Sequence, residues 1–285
     1  MSAAPVILRR LADLRALTKS WHRAGEVVGV VPTMGALHDG HLSLVRAARA
    51  GCDRVIVTIF VNPKQFNSPA DLANYPRTEE QDARKLAPLN VDVIYCPDPD
   101  QVYPDGFATT VSVSGLTDML CGATRPGHFD GVATVVTKLL TQSSADRAYF
   151  GEKDFQQLQL VRRLARDLDL DVEIIGCPTV RESDGLALSS RNLRLSEAAR
   201  ASAAQINLVM ADLTQGLLAG QEFAGLRDAA AASLAAAGFG DLDYLDFRRE
   251  ADLAALARFD PMEPARLFIA IWLEDVRLID NLPVR

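Results

Sequence analysis

Apolar and polar positions alternate between two periods along most of this chain. A continuous apolar run at 27–31 leads through a glycine-containing turn into Leu42, Val45 and Ala48, which stand at helical spacing. The run RVIVTIFV at 54–61 is β-branched and unbroken, as expected of a strand covered on both faces. Shorter runs at 5–8, 91–95, 109–113, 146–150 and 171–176 read as further strands. Helical spacing fills the intervals at 9–23 (Leu11, Leu14, Leu17), 79–89, 132–142 and from Phe155 through Leu158, Val161 and Leu164 to Leu168. Strand and helix in alternation predict an α/β fold with a doubly wound parallel sheet. After residue 192 the pattern changes. Alanine-rich helix is expected at 196–218 and 222–236, and strands at 242–247, 266–273 and 276–279. The chain is therefore read as two domains, a larger one at 1–179 and a smaller α+β one at 180–285. The polar stretch 178–192 joins them as a long connection with the character of a mobile lid or hinge.

Bulk properties narrow the function. The 285 residues are 48% apolar, ample for a packed core, and the net charge of −7 argues against a nucleic-acid partner. Cys52, Cys96, Cys121 and Cys177 form no C-x-x-C pair and are expected to be free thiols, not a disulfide framework or a zinc site. No run reaches the length of a membrane span and no secretory leader is evident, so the sequence predicts a soluble, cytoplasmic protein with no membrane partner.

The chemistry concentrates first at Pro32-Thr-Met-Gly-Ala-Leu-His-Asp-Gly-His41. A strand feeds a glycine turn that opens a helix, and a helix N-terminus offers unpaired N–H groups and a positive dipole end to an anion. His38 and His41, three apart, share a helical face and can donate to phosphate oxygens or stabilise charge as a phosphoryl group is attacked. Zinc ligation, with a third ligand still to be found, and an inert surface pair remain open alternatives.

Other candidates follow strands. Asn62 and Gln65 in Asn-Pro-Lys-Gln-Phe66 lie where ligands bind parallel sheets, although turn chemistry alone accounts for an asparagine before proline. Asp82 opens a helix with Glu79 and Glu80 and either serves the helix dipole or faces a metal. Gly151-Glu-Lys-Asp154 forms a second strand–glycine–helix junction, in which Lys153 suits a phosphate and Asp154 a ribose or a helix cap. Ser189, Ser190 and Arg191 supply two hydroxyls and a guanidinium, a grip for pyrophosphate.

The string PTMGALHDGHLSLV resembles the nucleotidyltransferase superfamily, whose sheets are Rossmann-like, and more narrowly the pantoate–β-alanine ligase family. FVNPKQF, RPGHFDGV, GEKDFQQ, PTVRESDGLALSSRN and the C-terminal RLIDN at 277–281 are similar to that family's remaining motifs, in the family's order. Lys64 and Glu274-Asp275 depart from its usual residues. The resemblance implies a ligase of pantothenate biosynthesis that joins (R)-pantoate to β-alanine through pantoyl adenylate, releasing AMP and pyrophosphate, with ATP as substrate and Mg2+ held mainly by its phosphates; the metal ligands stay unknown. It implies catalytic roles for His41, His38 and Lys153. It implies ATP contacts from Met34, Gly35, Ala36, Leu37, His38, Asp39, Gly40, His41, Gly151, Glu152, Lys153, Asp154, Val180 (adenine, by main chain), Leu188, Ser189, Ser190 and Arg191. Gln65, Gln157 and Asn62 are implied contacts of pantoate or β-alanine. A homodimer is the family's usual assembly. Two rivals keep the His-x-Gly-His turn: a nucleotidyltransferase that stops at nucleotide transfer, and a nucleotide-binding sensor.

Overall fold

The structure, a computed structural model, describes residues 5–67 and 69–285. The chain divides into two compact units. One holds residues 5–118, 125–152 and 157–178, and the other holds 119–124, 153–156 and 179–285. The second thus takes two short segments, one of them carrying Lys153 and Asp154, that lie outside the expected smaller domain.

In the first unit six parallel strands lie in the order β1-β4-β3-β2-β5-β6: β1 (Val6–Leu8), β2 (Val28–Thr33), β3 (Arg54–Ile59), β4 (Val93–Tyr95), β5 (Arg147–Gly151) and β6 (Glu173–Cys177). The helices of eight or more residues are α1 (Leu11–Arg23), α2 (Asp39–Gly51), α3 (Glu79–Leu86), α4 (His128–Ser143) and α5 (Phe155–Asp167), the last starting within the second unit's short segment. This is the expected doubly wound α/β sheet. The unbroken apolar character of β2 and β3 has a direct cause: Val31, Val55 and Val57 pack on Leu44, Val45 and Ala48 of α2, while Val30 and Ile56 are equally buried. β2 lies between β3 and β5, so the chain winds outward in both directions from it. The carboxyl ends of β2, β3 and β5 are neighbours at this reversal of strand order, the place where such sheets bind ligands.

The second unit contains α6 (Gln205–Leu218), α7 (Phe223–Ala236) and an antiparallel sheet β7-β8-β9, formed by Leu242–Arg249, Ala265–Leu273 and Val276–Val284. Met210, Leu213 and Leu217 of α6 share a core with Leu267, Ile269 and Ile271 of β8. This is the expected smaller α+β unit.

Several local expectations change. Residues 109–113 form no strand; Val111 donates its N–H to Thr134 Oγ1 at 3.0 Å and Ser112 binds Asp130 at 2.7 Å, so side chains of α4 satisfy this extended segment. The helix expected from residue 132 begins at His128. The expected helix at 196–218 is two helices, the first (Glu197–Ala203) capped by Ser196, with a break at Ala204. β9 runs on through Pro283, which an edge strand tolerates because one row of its backbone groups needs no ladder partner. The polar stretch 178–192 is not irregular: Arg181 pairs with Ala187, and Leu188 N–H donates to the Val180 carbonyl at 3.0 Å, closing a small hairpin. Among the described residues no helix is long and apolar enough to cross a membrane.

Candidate active site

At the end of β2 the chain turns sharply, with Gly35 at φ +82° and Ala36 at φ +52°. Gly35 meets both needs of its position. A side chain there would be strained in the left-handed region, and a Cβ would come within 3.1 Å of Ile59 and 3.2 Å of Asp82. The turn is fastened from within. Thr33 Oγ1 accepts from Gly35 N–H at 3.2 Å, and the fully buried Asp82 accepts from Ala36 N–H at 2.9 Å, Leu37 N–H at 2.8 Å and Thr78 Oγ1 at 3.0 Å. Asp82 is therefore a clamp on this turn. The metal-facing alternative has no support: its oxygens are committed to the protein, and no group of three His, Cys, Asp or Glu able to hold a metal gathers among the described residues.

His38 is the N-cap of α2. Its Nδ1 accepts from Gly40 N–H at 3.2 Å, while His41 Nδ1 accepts from His38 N–H at 3.3 Å. The two rings lie 4.1 Å apart. This is a capping box built from two imidazoles instead of a hydroxyl and a carboxylate. Because each Nδ1 is an acceptor, the proton of each neutral ring sits on Nε2. The sequence suggested unpaired turn amides as the anion cradle; instead the N–H groups of Gly35, Ala36, Leu37, His38 and Gly40 all have acceptors in the protein. Asp39 is exposed in the first turn of α2, and Leu37 is buried.

The second cluster follows β3. Asn62 is 1% exposed and its amide is fully engaged: Nδ2 donates to Gln65 Oε1 and to the Gly131 carbonyl, both at 3.0 Å, and Oδ1 accepts from Lys64 N–H and from Tyr103 at 2.8 Å. Burial pushes the Tyr103 phenol up, so it stays a donor. Asn62 thus orients Gln65, the residue expected beside it as a substrate contact. Gln65 itself is half-buried, and its Nε2 lies 3.1 Å from Met34 Sδ, which ties this cluster to the β2 turn. The Gln65 carbonyl accepts from His128 Nδ1 at 2.8 Å and from Arg125 at 3.3 Å. His128 therefore acts behind Gln65. Gly131 lets α4 approach so closely that a Cβ there would stand 2.2 Å from the Lys64 carbonyl. Lys64, the departure noted in the motif, lies 5.2 Å from both the Tyr103 and Phe107 rings. Gly151 ends β5 and Glu152 follows it, and Gln157 is half-buried in the first turn of α5.

The remaining candidates lie in the second unit. Lys153 and Asp154 are in a short 3-10 turn before α5, Lys153 half-buried and Asp154 exposed. Asn281 Nδ2 donates to the Lys153 carbonyl at 2.8 Å. Ser189 caps the 3-10 turn Ser190–Arg194 by accepting from Arg191 N–H at 3.3 Å, which leaves its hydroxyl proton to give elsewhere. Val180, Leu188, Ser189, Ser190 and Arg191 are all half-buried. Gln156, which the sequence left without a role, is buried and holds the segment 119–121 through Met119 and Cys121.

Sequence reasoning missed Asp82 as a clamp, His128 as the support of Gln65, and the Asp280–Asn281 pair. All three stand in segments the sequence had singled out, Asp82 at a helix start, His128 in RPGHFDGV and Asp280–Asn281 in RLIDN, but their partners lie far along the chain.

The model of the pantoate-beta-alanine ligase family matches residues 6–283. A pantothenate synthetase of Ruegeria pomeroyi is 65% identical over 98% of this chain and 97% of its own. The crystal structure of pantothenate synthetase from Thermus thermophilus superposes with a TM-score of 0.91 at 43% identity, covering 98% of this chain and 99% of that one. A pantoate-beta-alanine ligase from Francisella tularensis, solved with beta-gamma ATP and beta-alanine, superposes with a TM-score of 0.82 at 36% identity, covering 98% and 97%. With the motifs, the parallel sheet and the imidazole-capped turn, they show that the chain belongs to the pantoate–β-alanine ligase family.

Proposed function

We propose that this ligase condenses (R)-pantoate with β-alanine in two steps through pantoyl adenylate. A carboxylate is a poor acyl donor, since its leaving group would be oxide. Attack of a pantoate carboxylate oxygen on the α-phosphorus of ATP forms the mixed carboxylic–phosphoric anhydride and expels pyrophosphate. The amine of β-alanine, as the free base, then attacks the acyl carbon and AMP departs with both electrons of the broken C–O bond. The amine's surplus proton passes to solvent.

The observation that carries this reading is the turn after β2. Five of its amides are engaged internally, and the caps fix the His38 and His41 rings through Nδ1, so each ring turns its Nε2 side to other partners. They suit the charge that develops on phosphate oxygens during adenylation, with His41 the more engaged in the transition state. Gln65, oriented by Asn62 and held behind by His128, suits the hydroxyls and carboxylate of pantoate, and Gln157 is its proposed partner. Lys153, Ser189, Ser190 and Arg191 are assigned to the ATP phosphates. Asp154 is assigned to the ribose. The Val180 carbonyl is engaged by Leu188, so the main-chain contact with adenine falls to the Val180 N–H. Mg2+ would be held mainly by the ATP phosphates and would offset their charge, since no group of three His, Cys, Asp or Glu able to hold a metal gathers among the described residues.

The test is a product assay with Mg-ATP and (R)-pantoate, with and without β-alanine. Pyrophosphate in both reactions, with sustained AMP and pantothenate only when β-alanine is added, is expected. Formation of ADP would overturn the adenylate route.

A further inference from the structure

We propose that Asp280 and Asn281, adjacent on β9, are positioning residues that set the two ATP-gripping segments of the second unit in register. The inference rests on the assignment of Lys153 and of Ser189–Arg191 to ATP.

Neighbouring residues of a strand point to opposite faces, so one dipeptide can reach in two directions. The Asp280 side chain is 2% exposed and takes the Arg181 guanidinium in both hands of its carboxylate, at 2.7 and 2.9 Å. Arg181 is the first paired residue of the hairpin whose far strand leads through Leu188 into Ser189–Arg191. Arg181 also donates to the Gly185 carbonyl within the hairpin at 3.0 Å and to the Asn281 carbonyl at 3.3 Å. Asn192, buried at the end of the same segment, donates to the Ala187 carbonyl at 3.0 Å, so the hairpin holds its shape as one piece.

Asn281 reaches the other segment. Its Nδ2 donates to the Lys153 carbonyl at 2.8 Å, and its Oδ1 accepts from Arg266 at 2.6 Å. Arg266 is itself buried, paired with Glu250 at 2.8 Å and stacked 3.9 Å from the Phe155 ring, two residues beyond Lys153. Asn281 is thereby fixed in one amide orientation, donor toward Lys153. The backbone of Lys153 and the backbone leading to Ser189 are referred to consecutive residues of a single strand. Neither Asp280 nor Asn281 is assigned to substrate; both act through the groups they hold.

The test is steady-state kinetics of purified Asn281→Asp, Asn281→Ser, Asp280→Asn, Arg181→Gln and the Asp280→Asn/Arg181→Gln pair, each checked for a cooperative melting transition. Asn281→Asp places an acceptor against the Lys153 carbonyl; Asn281→Ser removes the donor more gently. Both are expected to lower kcat/KM for ATP by about tenfold or more while KM for β-alanine stays within about twofold. The double variant is expected to be no worse than its worse single parent, since both changes break one link. Loss spread equally over all three substrates, no loss in folded variants, or strict additivity in the pair would each overturn the proposal. Lys153→Ala separates the two levels. If it leaves the ATP parameters unchanged, the assignment of Lys153 to ATP fails and the proposal fails with it. If it lowers them while the Asn281 and Asp280 variants do not, the assignment stands and the positioning role falls.

Discussion

His38 and His41 cap one helix for each other, His38 Nδ1 receiving the Gly40 N–H and His41 Nδ1 receiving the His38 N–H. Serine or glutamate would satisfy the same amides. Imidazole does so through Nδ1 alone, so the cap and the proposed charge-stabilising group can be one side chain. His41→Ala is expected to lower turnover by about 100-fold or more, the loss of one well-placed donor, with a smaller loss of stability from the broken cap. Measurement of kcat on the folded variant checks this; near-normal turnover would remove His41 from the mechanism.

Asp82 holds that turn from beneath. In Asp82→Asn one oxygen is replaced by an NH2 group facing a backbone N–H, so at least one buried donor loses its acceptor. Stability is expected to fall by about 2 kcal/mol or more, and turnover to fall with it as the two histidines lose their setting. Urea unfolding of the variant beside the parent reads the first effect. An unchanged midpoint would mean that the clamp contributes nothing.

Gly131 makes a different kind of prediction. A methyl there cannot fit beside the Lys64 carbonyl without moving the turn that carries Asn62 and Gln65. Gly131→Ala is expected to cost about 1–3 kcal/mol and to raise KM for pantoate more than KM for ATP. Equal KM values in variant and parent would show that the turn's position does not set pantoate binding.

How far these features were legible in the sequence follows from the range of the interactions. The strand at 54–61 and the helix after Gly40 declared themselves because period and burial are local. The His-x-Gly-His turn declared its place, yet not that the Ala36 and Leu37 amides were already engaged, because their acceptor Asp82 lies over forty positions away. Asn62 read correctly as a turn residue, but its part in orienting Gln65 was hidden, since Tyr103 and Gly131, which complete its hydrogen bonds, arrive from distant segments. The segment at 109–113 had strand composition, but α4 supplied side-chain partners where a strand would have needed a neighbour. The hairpin within 178–192 was hidden by its polarity, which comes from the ion pairs of Arg181 with Asp280 and of Arg200 with Glu182 and Asp184.

The edge of the sheet near β4 should make the fold sensitive to alkali. Burial pushes the Cys96 thiol from its ordinary 9.0 up to about 12 and the Tyr95 phenol from 10.0 up to about 12. Between those values the folded state holds protons that the unfolded state has released. Stability is therefore unaffected by these groups below pH about 9 and falls as pH rises toward 12. The urea midpoint should be lower at pH 10 than at pH 8, and Cys96 should resist alkylation in the native protein at pH 8. A flat midpoint across that interval would contradict the burial of these two groups.

The two-step route is tested most directly by the fate of oxygen. (R)-Pantoate labelled with heavy oxygen in its carboxylate is incubated with Mg-ATP and β-alanine, and the products are weighed by mass spectrometry. Adenylation transfers one labelled oxygen to the phosphorus, so the AMP should carry the label while pyrophosphate carries none. Unlabelled AMP, or label in a phosphate other than that of AMP, would mean that the carboxylate never attacked the α-phosphorus, and pantoyl adenylate would have to be abandoned.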